Sequence, residues 1–250
     1  MVEGQVPIAA DVLLLAAGFG TRLGKLTAEI PKPLVQVAGR ALVDRNLELL
    51  GRAGFRRVIL NLHYRAEQIQ NFVGDGSAWG LCVEYSHEPV LLDTGGAIKQ
   101  IQSRLKFDNL FTVNSDIILG SDFSFRKLLA HHRSQEPSAA ATLVLREDPE
   151  AEAFGAVGVD AAGRICRFLG TTYVDHPVRA TLMYTGVQVL STSLLDQMPP
   201  AGSIFSITKD TYPSALAAGA VLSSIRYQGL WNDVGTPERL AEAEQILRNR

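Results

Sequence analysis

The sequence predicts an α/β fold: a doubly wound, mostly parallel sheet flanked by helices, with a small antiparallel subregion. Three observations carry this. An apolar run, Val12 to Ala16, opens directly into a loop holding Gly18 and Gly20, the pattern of a buried parallel strand followed by a turn. Segments of strand and helix character then alternate. The rhythm breaks at Phe154–Leu169, where two short runs flank Asp160–Gly163 and read as a β-hairpin.

Composition narrows the function. The 250 residues carry 24 basic and 26 acidic side chains, a net charge of −2, and are 46% hydrophobic. They can bury a sizeable core in one domain, and they lack the basic stripe of a nucleic-acid binder. Cys82 and Cys166 have no metal-ligand spacing and read as reduced core thiols. Met1–Pro7 has no cationic segment, so no leader is expected, and no run approaches the roughly 18 apolar residues of a membrane span. The expectation is a cytoplasmic protein with neither a membrane nor a nucleic acid as partner; the oligomeric state stays open.

Taken in order, the first strand leads into Thr21 and Arg22, a hydroxyl and a cationic fork suited to phosphate oxygens. Lys32 stands between Pro31 and Pro33, on backbone expected to be extended. A short strand, Leu34–Val37, and a turn at Gly39-Arg40 precede a helix, Ala41–Ala53, with Val43, Leu47 and Leu50 on one face and Gly54 at its end. Arg57–Leu62 reads as a strand, Ala66–Val73 as a helix and Leu81–Tyr85 as a strand. Ligands of such sheets bind beyond the carboxyl ends of the strands. That puts the Gly18 loop, Asn61–Tyr64 and Glu88 on one rim.

Thr94-Gly95-Gly96 precedes a helix, Ala97–Leu105. Glycines there let the backbone lie flat on a planar group such as a base; alternatively, Thr94 is only an N-cap. The strand Leu110–Asp116 ends in a carboxylate, placed either for a divalent cation or for a turn. In the helix Ser124–Ser134, His131 and His132 are adjacent, not metal-spaced, and read as surface residues. Further strands are expected at Ala139–Leu145, Leu182–Leu190 and Val221–Tyr227, and a helix at Thr208–Ala218 capped by Thr208. Thr236-Pro237 is a helix start, and the last helix runs to about Leu247. Asp233, just before it, is a cap, a partner of the helix N-terminus, or a metal ligand.

The opening loop is neither common phosphate motif. The dinucleotide fingerprint G-x-G-x-x-G fails at Leu23, and a Walker loop fails at Phe19 and Leu26. Leu15-Ala16-Ala17-Gly18-Phe19-Gly20-Thr21-Arg22-Leu23 with Pro31-Lys32-Pro33-Leu34 instead resembles the signature of the sugar-1-phosphate nucleotidyltransferases. Glu88 with Leu92-Asp93-Thr94-Gly95-Gly96, then Asp116, then Trp231-Asn232-Asp233-Val234-Gly235-Thr236 resemble that family's later motifs in the same order. The resemblance runs from Val12 to Leu247.

What it implies is a Rossmann-like mixed sheet that forms an NDP-sugar and pyrophosphate from an NTP and a sugar 1-phosphate. Nucleotide binding would fall to Leu15, Ala16, Ala17, Gly18, Gly20, Thr21, Arg22, Glu88, Thr94, Gly95 and Gly96, with Arg22 and Lys32 as catalytic cations. Mg²⁺ would sit on Asp116 and Asp233, and the sugar on Gly155, Thr185 and Gly186. The domain would span 10–250: a nucleotide-binding part to about 135, a sugar-binding part about 136–230, and a metal-aspartate loop and helix about 231–248. No C-terminal domain of hexapeptide repeats is expected.

Three departures stand out. Asp93 replaces a frequent Gly, Ser115 replaces the Gly before the aspartate, and Phe168-Leu169-Gly170 stands where many relatives carry Glu-Lys-Pro. The missing lysine's role falls to Lys32, Arg164, Arg167 or Arg179, or to nothing. Thr94–Lys99 resembles mannose- or heptose-1-phosphate guanylyltransferases, which points to GTP. The absent Glu-Lys-Pro is also found in short uridylyltransferases of cell-wall amino sugars, such as N-acetylmuramate 1-phosphate, which leaves UTP open. A third reading is a non-catalytic, sugar-nucleotide-binding regulatory paralogue. Keeping Arg22, Lys32, Asp116 and Asp233 together speaks against it.

Overall fold

The computed structural model describes residues 6–135, 138–152 and 155–249. Phe154, the expected start of the hairpin, and Met1–Gln5 lie outside the described residues. The chain opens with β1 (Asp11–Leu15), a short helix α1 (Leu26–Glu29), the paired strands β2 (Gln36–Val37) and β3 (Arg40–Ala41), and α2 (Leu42–Ala53). Then come β4 (Arg57–Leu62), α3 (Ala66–Val73), β5 (Cys82–His87), α4 (Asp93–Gln100), β6 (Asn109–Asn114), β7 (Ile117–Leu119) and α5 (Phe125–Arg133). The remainder holds β8 (Ala141–Arg146), β9 (Val157–Val159), β10 (Ile165–Phe168), β11 (Thr171–Thr172), β12 (Ala180–Ser191), α6 (Tyr212–Ala217), β13 (Leu222–Arg226), β14 (Trp231–Asp233) and α7 (Pro237–Arg248). Strands and helices form the expected mixed α/β architecture, in two compact units: Met1–Leu91 with Val113–Phe123 and Gly229–Arg250, and Leu92–Thr112 with Ser124–Gln228.

The first unit is built on parallel pairing. β1 lies beside β4, with Leu15 opposite Asn61, and β4 beside β5, with Leu60 opposite Tyr85. Val12, Leu13, Leu14, Val58, Ile59 and Leu60 are all buried, which is why these stretches read as unbroken apolar runs. In α2, Leu42, Val43, Leu47 and Leu50 face inward. Gly54, at φ 103°, ends it by returning its N–H to Leu50 O and Gly51 O. A separate antiparallel ribbon joins β7 to β14, with Ile117 opposite Asp233. Leu23, Val35, Val37, Leu42, Ile118, Val234 and Ala243 form one apolar cluster under it.

The second unit is mainly antiparallel. β12, 12 residues long, pairs antiparallel with β9 over Ala180–Leu182 and with β8 over Met183–Leu190. β9 pairs with β10, and β10 with β11, so the expected hairpin is present within a larger antiparallel region; β13 adds to β8 in parallel. Tyr212 is fully buried, packs edge-on against Phe168, and donates to Gln188 Oε1 at 2.6 Å.

Several expectations are corrected. Lys32–Leu34 is a 3₁₀ turn, not extended backbone; only Pro31, at ψ 148°, is extended. The helix expected from Thr208 is capped by Ser206, whose Oγ accepts from Lys209 N, while Asp210 Oδ2 accepts from Ser206 N at 2.7 Å. This reciprocal cap outcompetes Thr208. The stretch then begins as a π-turn, Ile207–Thr211, before α6. His132 is buried, because it continues the inward row Phe125, Leu128, Leu129 of α5 at helical spacing. Its Nδ1 meets Thr142 Oγ1 at 2.9 Å and its Nε2 meets Ser191 Oγ at 3.0 Å. Burial lowers its pKa to about 4. Cys166 is buried but Cys82 is exposed, on the outer face of β5 where Val83 points inward. Among the described residues, no helix is long and apolar enough to cross a membrane.

Candidate functional site

In the first unit, β1 delivers its last carbonyl and the following loop to the carboxyl rim. Ser115 N donates to Leu15 O at 3.0 Å, and Ala16 N donates to Asn61 Oδ1 at 2.8 Å. Beyond Ala16 the amides of Ala17, Gly18, Phe19, Gly20 and Thr21 donate to no acceptor among the described residues. A Cβ on Gly18 would meet nothing within 4 Å. Gly20 is different: it is left-handed, at φ 66°, and a Cβ there would stand 2.9 Å from Lys32 Cβ. Lys32 is thereby packed under the loop and buried. Thr21–Leu23 forms a 3₁₀ turn in which buried Leu23 anchors the loop and Arg22 stays exposed.

Two acids meet beside these cations. Asp116 directly precedes β7, Asp233 ends β14, and Val234 N donates to Asp116 O at 2.9 Å, so the ribbon sets both carboxylates at one end. Lys32 Nζ forms an ion pair with Asp116 Oδ2. A Cβ on Gly235 would lie 2.8 Å from Asp233 Oδ1 and 3.0 Å from Arg22 Nη2, so the Arg22 guanidinium and the second acid stand over the same point of the chain. Asp233 Oδ1 is buried and has no hydrogen-bond partner among the described residues. Burial, and then the negative charge of Asp116, push the Asp233 carboxyl above the usual carboxylate range, against the pull of Lys32, Arg22 and Arg239. Adjacent carboxylates with an orphaned buried oxygen are a donor set for a hard divalent cation, and Mg²⁺ commonly takes one or two of them.

Asn61 is the residue that sequence reasoning placed on this rim without giving it work. It is buried, and its Nδ2 donates to Glu88 Oε1 at 2.8 Å while its Oδ1 holds Ala16. One amide thus ties the root of the loop to Glu88. The signal was present: a polar residue near the carboxyl end of an otherwise apolar strand. His63 Nδ1 donates to Glu88 O at 2.7 Å, which fixes its tautomer.

In the second unit, the Thr94–Gly96 turn has other partners. Thr94 is not the N-cap of a helix at Ala97; the helix already begins at Asp93. Gly95 N and Gly96 N donate to Phe205 O at 2.9 and 3.1 Å, and Thr94 Oγ1 accepts from Ile207 N at 3.0 Å. A Cβ on Gly95 would lie 2.4 Å from the Phe205 ring, and one on Gly96 2.4 Å from Ser203 O. Asp93 is left-handed, at φ 59°, which is why glycine suits that position. Thr185 Oγ1 donates to Val144 O at 2.8 Å, and Gly186, at φ 83°, sits where the β12–β8 register shifts. Gly155, at φ 87°, has Leu169 Cδ2 at 2.9 Å from where its Cβ would be. Arg167, a candidate for the missing lysine's role, donates to Thr181 Oγ1 at 2.9 Å.

The chain is 34% identical over 229 residues to mannose-1-phosphate guanylyltransferase of Mycobacterium tuberculosis, covering 91% of this chain and 62% of that protein. It is 34% identical over 231 residues to mannose-1-phosphate guanyltransferase of Gibberella zeae, covering 90% and 61%. The chain therefore spans about three fifths of the length of these curated relatives. Its fold matches the crystal structure of HddC from Yersinia pseudotuberculosis with a TM-score of 0.79 and 23% identity, over 95% of this chain and 99% of that one. The nucleotidyl transferase profile matches residues 11–250, from the first residue of β1 past the end of α7, and the chain belongs to the nucleotidyl transferase family.

Proposed function

We propose that this chain, as one domain over 10–250, joins an NTP to a sugar 1-phosphate, releasing pyrophosphate and requiring Mg²⁺. The observation that carries the reading is the Asp116–Asp233 pair, with its orphaned oxygen, between Lys32 and Arg22. The attacking sugar-phosphate oxygen is already anionic. It forms the new bond to the α-phosphorus as the bond to the bridging oxygen breaks, and no general base is needed. The chain's task is positioning and charge neutralisation.

The amides of Ala17–Thr21 donate to phosphate oxygens, as their lack of acceptors among the described residues supports. Arg22 neutralises the departing pyrophosphate with its fork. Lys32 offsets the repulsion between two anionic reactants. Asp116 and Asp233 hold the ion, and when bound Mg²⁺ supplies positive charge to the α-phosphate. Glu88 and Thr94–Gly96 serve the base. The amides of Gly95 and Gly96 already donate to Phe205 O, so they offer the base no N–H groups. Gly155, Thr185 and Gly186 serve the sugar, Thr185 through its backbone. A reaction that consumes NTP suits a cytoplasmic protein.

GTP with mannose 1-phosphate, or a heptose 1-phosphate, is the favoured pair, supported by the relatives' names. UTP with an amino-sugar 1-phosphate is the second reading, favoured by Phe168-Leu169-Gly170 in place of Glu-Lys-Pro. Purified protein is incubated with each NTP and a panel of sugar 1-phosphates. Pyrophosphate is expected only when NTP, sugar 1-phosphate and Mg²⁺ are all present, fastest with GTP and mannose 1-phosphate. Binding of NTP without turnover on any pairing would make the chain a regulatory paralogue instead.

A further inference from the structure

We infer that Tyr64 and Arg65 are positioning residues: they latch the phosphate loop, acting on it through α1 and Thr27. This rests on the proposed role of the Gly18–Arg22 loop in binding NTP.

α1 has only 4 residues, so its last carbonyls lack intrahelical partners. Side chains that follow β4 supply them. Tyr64 OH donates to Ala28 O at 3.0 Å and lies 3.2 Å from Thr27 O; Arg65 Nη2 donates to Ala28 O at 2.7 Å; Gln68 Nε2 donates to Glu29 O at 3.1 Å. Arg65 Nε also donates to Tyr64 OH at 2.9 Å, and its guanidinium stands 5.3 Å from the Tyr64 ring centroid, so the two act together. The hold is passed on inside the loop segment. Thr27 is buried, and its hydroxyl lies 3.0 Å from Gly20 O and 3.3 Å from Gly24 O. The Phe19 ring packs against the rings of His63 and Tyr64, at 5.3 and 5.6 Å between centroids.

A second observation is the backbone that presents Arg65. Arg65 is left-handed, at φ 51°, a conformation that favours glycine. It is also the N-cap of α3, where a guanidinium, having no acceptor, can cap no N–H, and its side chain reaches back to Ala28. A residue kept in a disfavoured conformation, with its side chain directed at another segment, has work at that segment. The work is pre-organisation: a loop held in its binding shape for a smaller fraction of time binds in proportion more weakly.

The test uses the whole chain with Arg65→Gly, Tyr64→Phe and Arg65→Lys. A purely structural Arg65 predicts that glycine is neutral or stabilising, with unchanged kinetics. The latch predicts an unchanged or higher Tm for Arg65→Gly, together with an about 10-fold higher KM for NTP. It also predicts kcat within about 2-fold and an unchanged KM for the sugar 1-phosphate. Hydrogen exchange at the Leu23, Gly24, Thr27 and Ala28 amides should quicken by about 10-fold. Tyr64→Phe should move the same quantities, and Arg65→Lys, which keeps a donor for Ala28, should fall between. Unchanged exchange at those amides and unchanged NTP KM in both Arg65→Gly and Tyr64→Phe would overturn the latch. Should the wild type turn over no NTP, the proposed function fails by itself, and the exchange rates still decide the latch.

Discussion

Two glycine-bearing turns, one in each compact unit, use the same residue for different physical ends. In the Ala17–Thr21 loop the amides have no acceptor among the described residues and Gly18 faces open space. In the Asp93–Gly96 turn the Gly95 and Gly96 amides are taken by Phe205 O, and the space a Cβ would need at Gly95 or Gly96 is filled by Phe205 and Ser203. Glycine in the first turn leaves room and donors for a ligand. Glycine in the second lets a helix start pack flush on its own chain. The sequence pattern of small residues before a helix does not separate these cases; the destination of the N–H groups does.

The comparison separates a loop left open for a ligand from a turn packed on its own chain, and substitutions can break it. The largest effect is expected beside the first loop. Asp116→Asn and Asp233→Asn should each lower turnover about 10³-fold, the scale of losing a transition-state stabiliser. The double variant should be little worse than the worse single one, because the pair acts as a unit. Pyrophosphate release at saturating substrates measures both.

The second unit should instead show itself in stability, most of all in acid. The folded pKa of His132 is lowered to about 4, while in the unfolded chain it stays near the ordinary value of about 6.5. As pH falls through that window the unfolded chain takes up the proton first. His132 therefore costs nothing above about pH 6.5, and stability is lost progressively down to about pH 4, by about 3 kcal/mol at most. Urea midpoints measured across that range should show the fall, and His132→Gln should flatten it.

Next in size is Arg22→Lys, which keeps the charge but not the fork. It should lower kcat/KM about 10²-fold with Tm unchanged. Near-normal turnover would take the guanidinium off the phosphates. The smallest effects come from the glycines themselves, and they sharpen the contrast most. Gly95→Ala forces Phe205 to move and should destabilise by about 2 kcal/mol. Gly18→Ala meets nothing and lies outside the left-handed region, so its thermal stability should hold within about 0.5 kcal/mol while NTP binding weakens. Equal Tm losses in both would erase the distinction between the turns.

How much of this was legible in the sequence follows the same divide between local and distant causes. β4 and α3 fall on Arg57–Leu62 and Ala66–Val73 as the pattern expects, because an apolar run and a helical stripe bounded by glycines are local signals. Thr236-Pro237 likewise starts α7, with Thr236 Oγ1 accepting from Arg239 N at 3.4 Å. The acids were legible as a pair only through the family resemblance: what joins them in the fold is the β7–β14 ribbon, whose strands stand far apart in the chain and are three residues each. Lys32 adopts a 3₁₀ turn against the local preference of a residue before proline because its stem packs under Gly20. The burial of His132 was legible in helical spacing, since it lies seven positions after Phe125 on the buried row, and not in its adjacency to His131.

The central claim is that Asp116 and Asp233 hold one divalent cation. Its most direct test is a Mg²⁺ titration of pyrophosphate release for the wild type, Asp116→Asn and Asp233→Asn. The account predicts half-saturation at clearly higher Mg²⁺, by about 10-fold or more, in each variant, because each removes one negative ligand from a dication site. Unchanged Mg²⁺ half-saturation in both variants would contradict it, leaving the two residues as a turn and a cap.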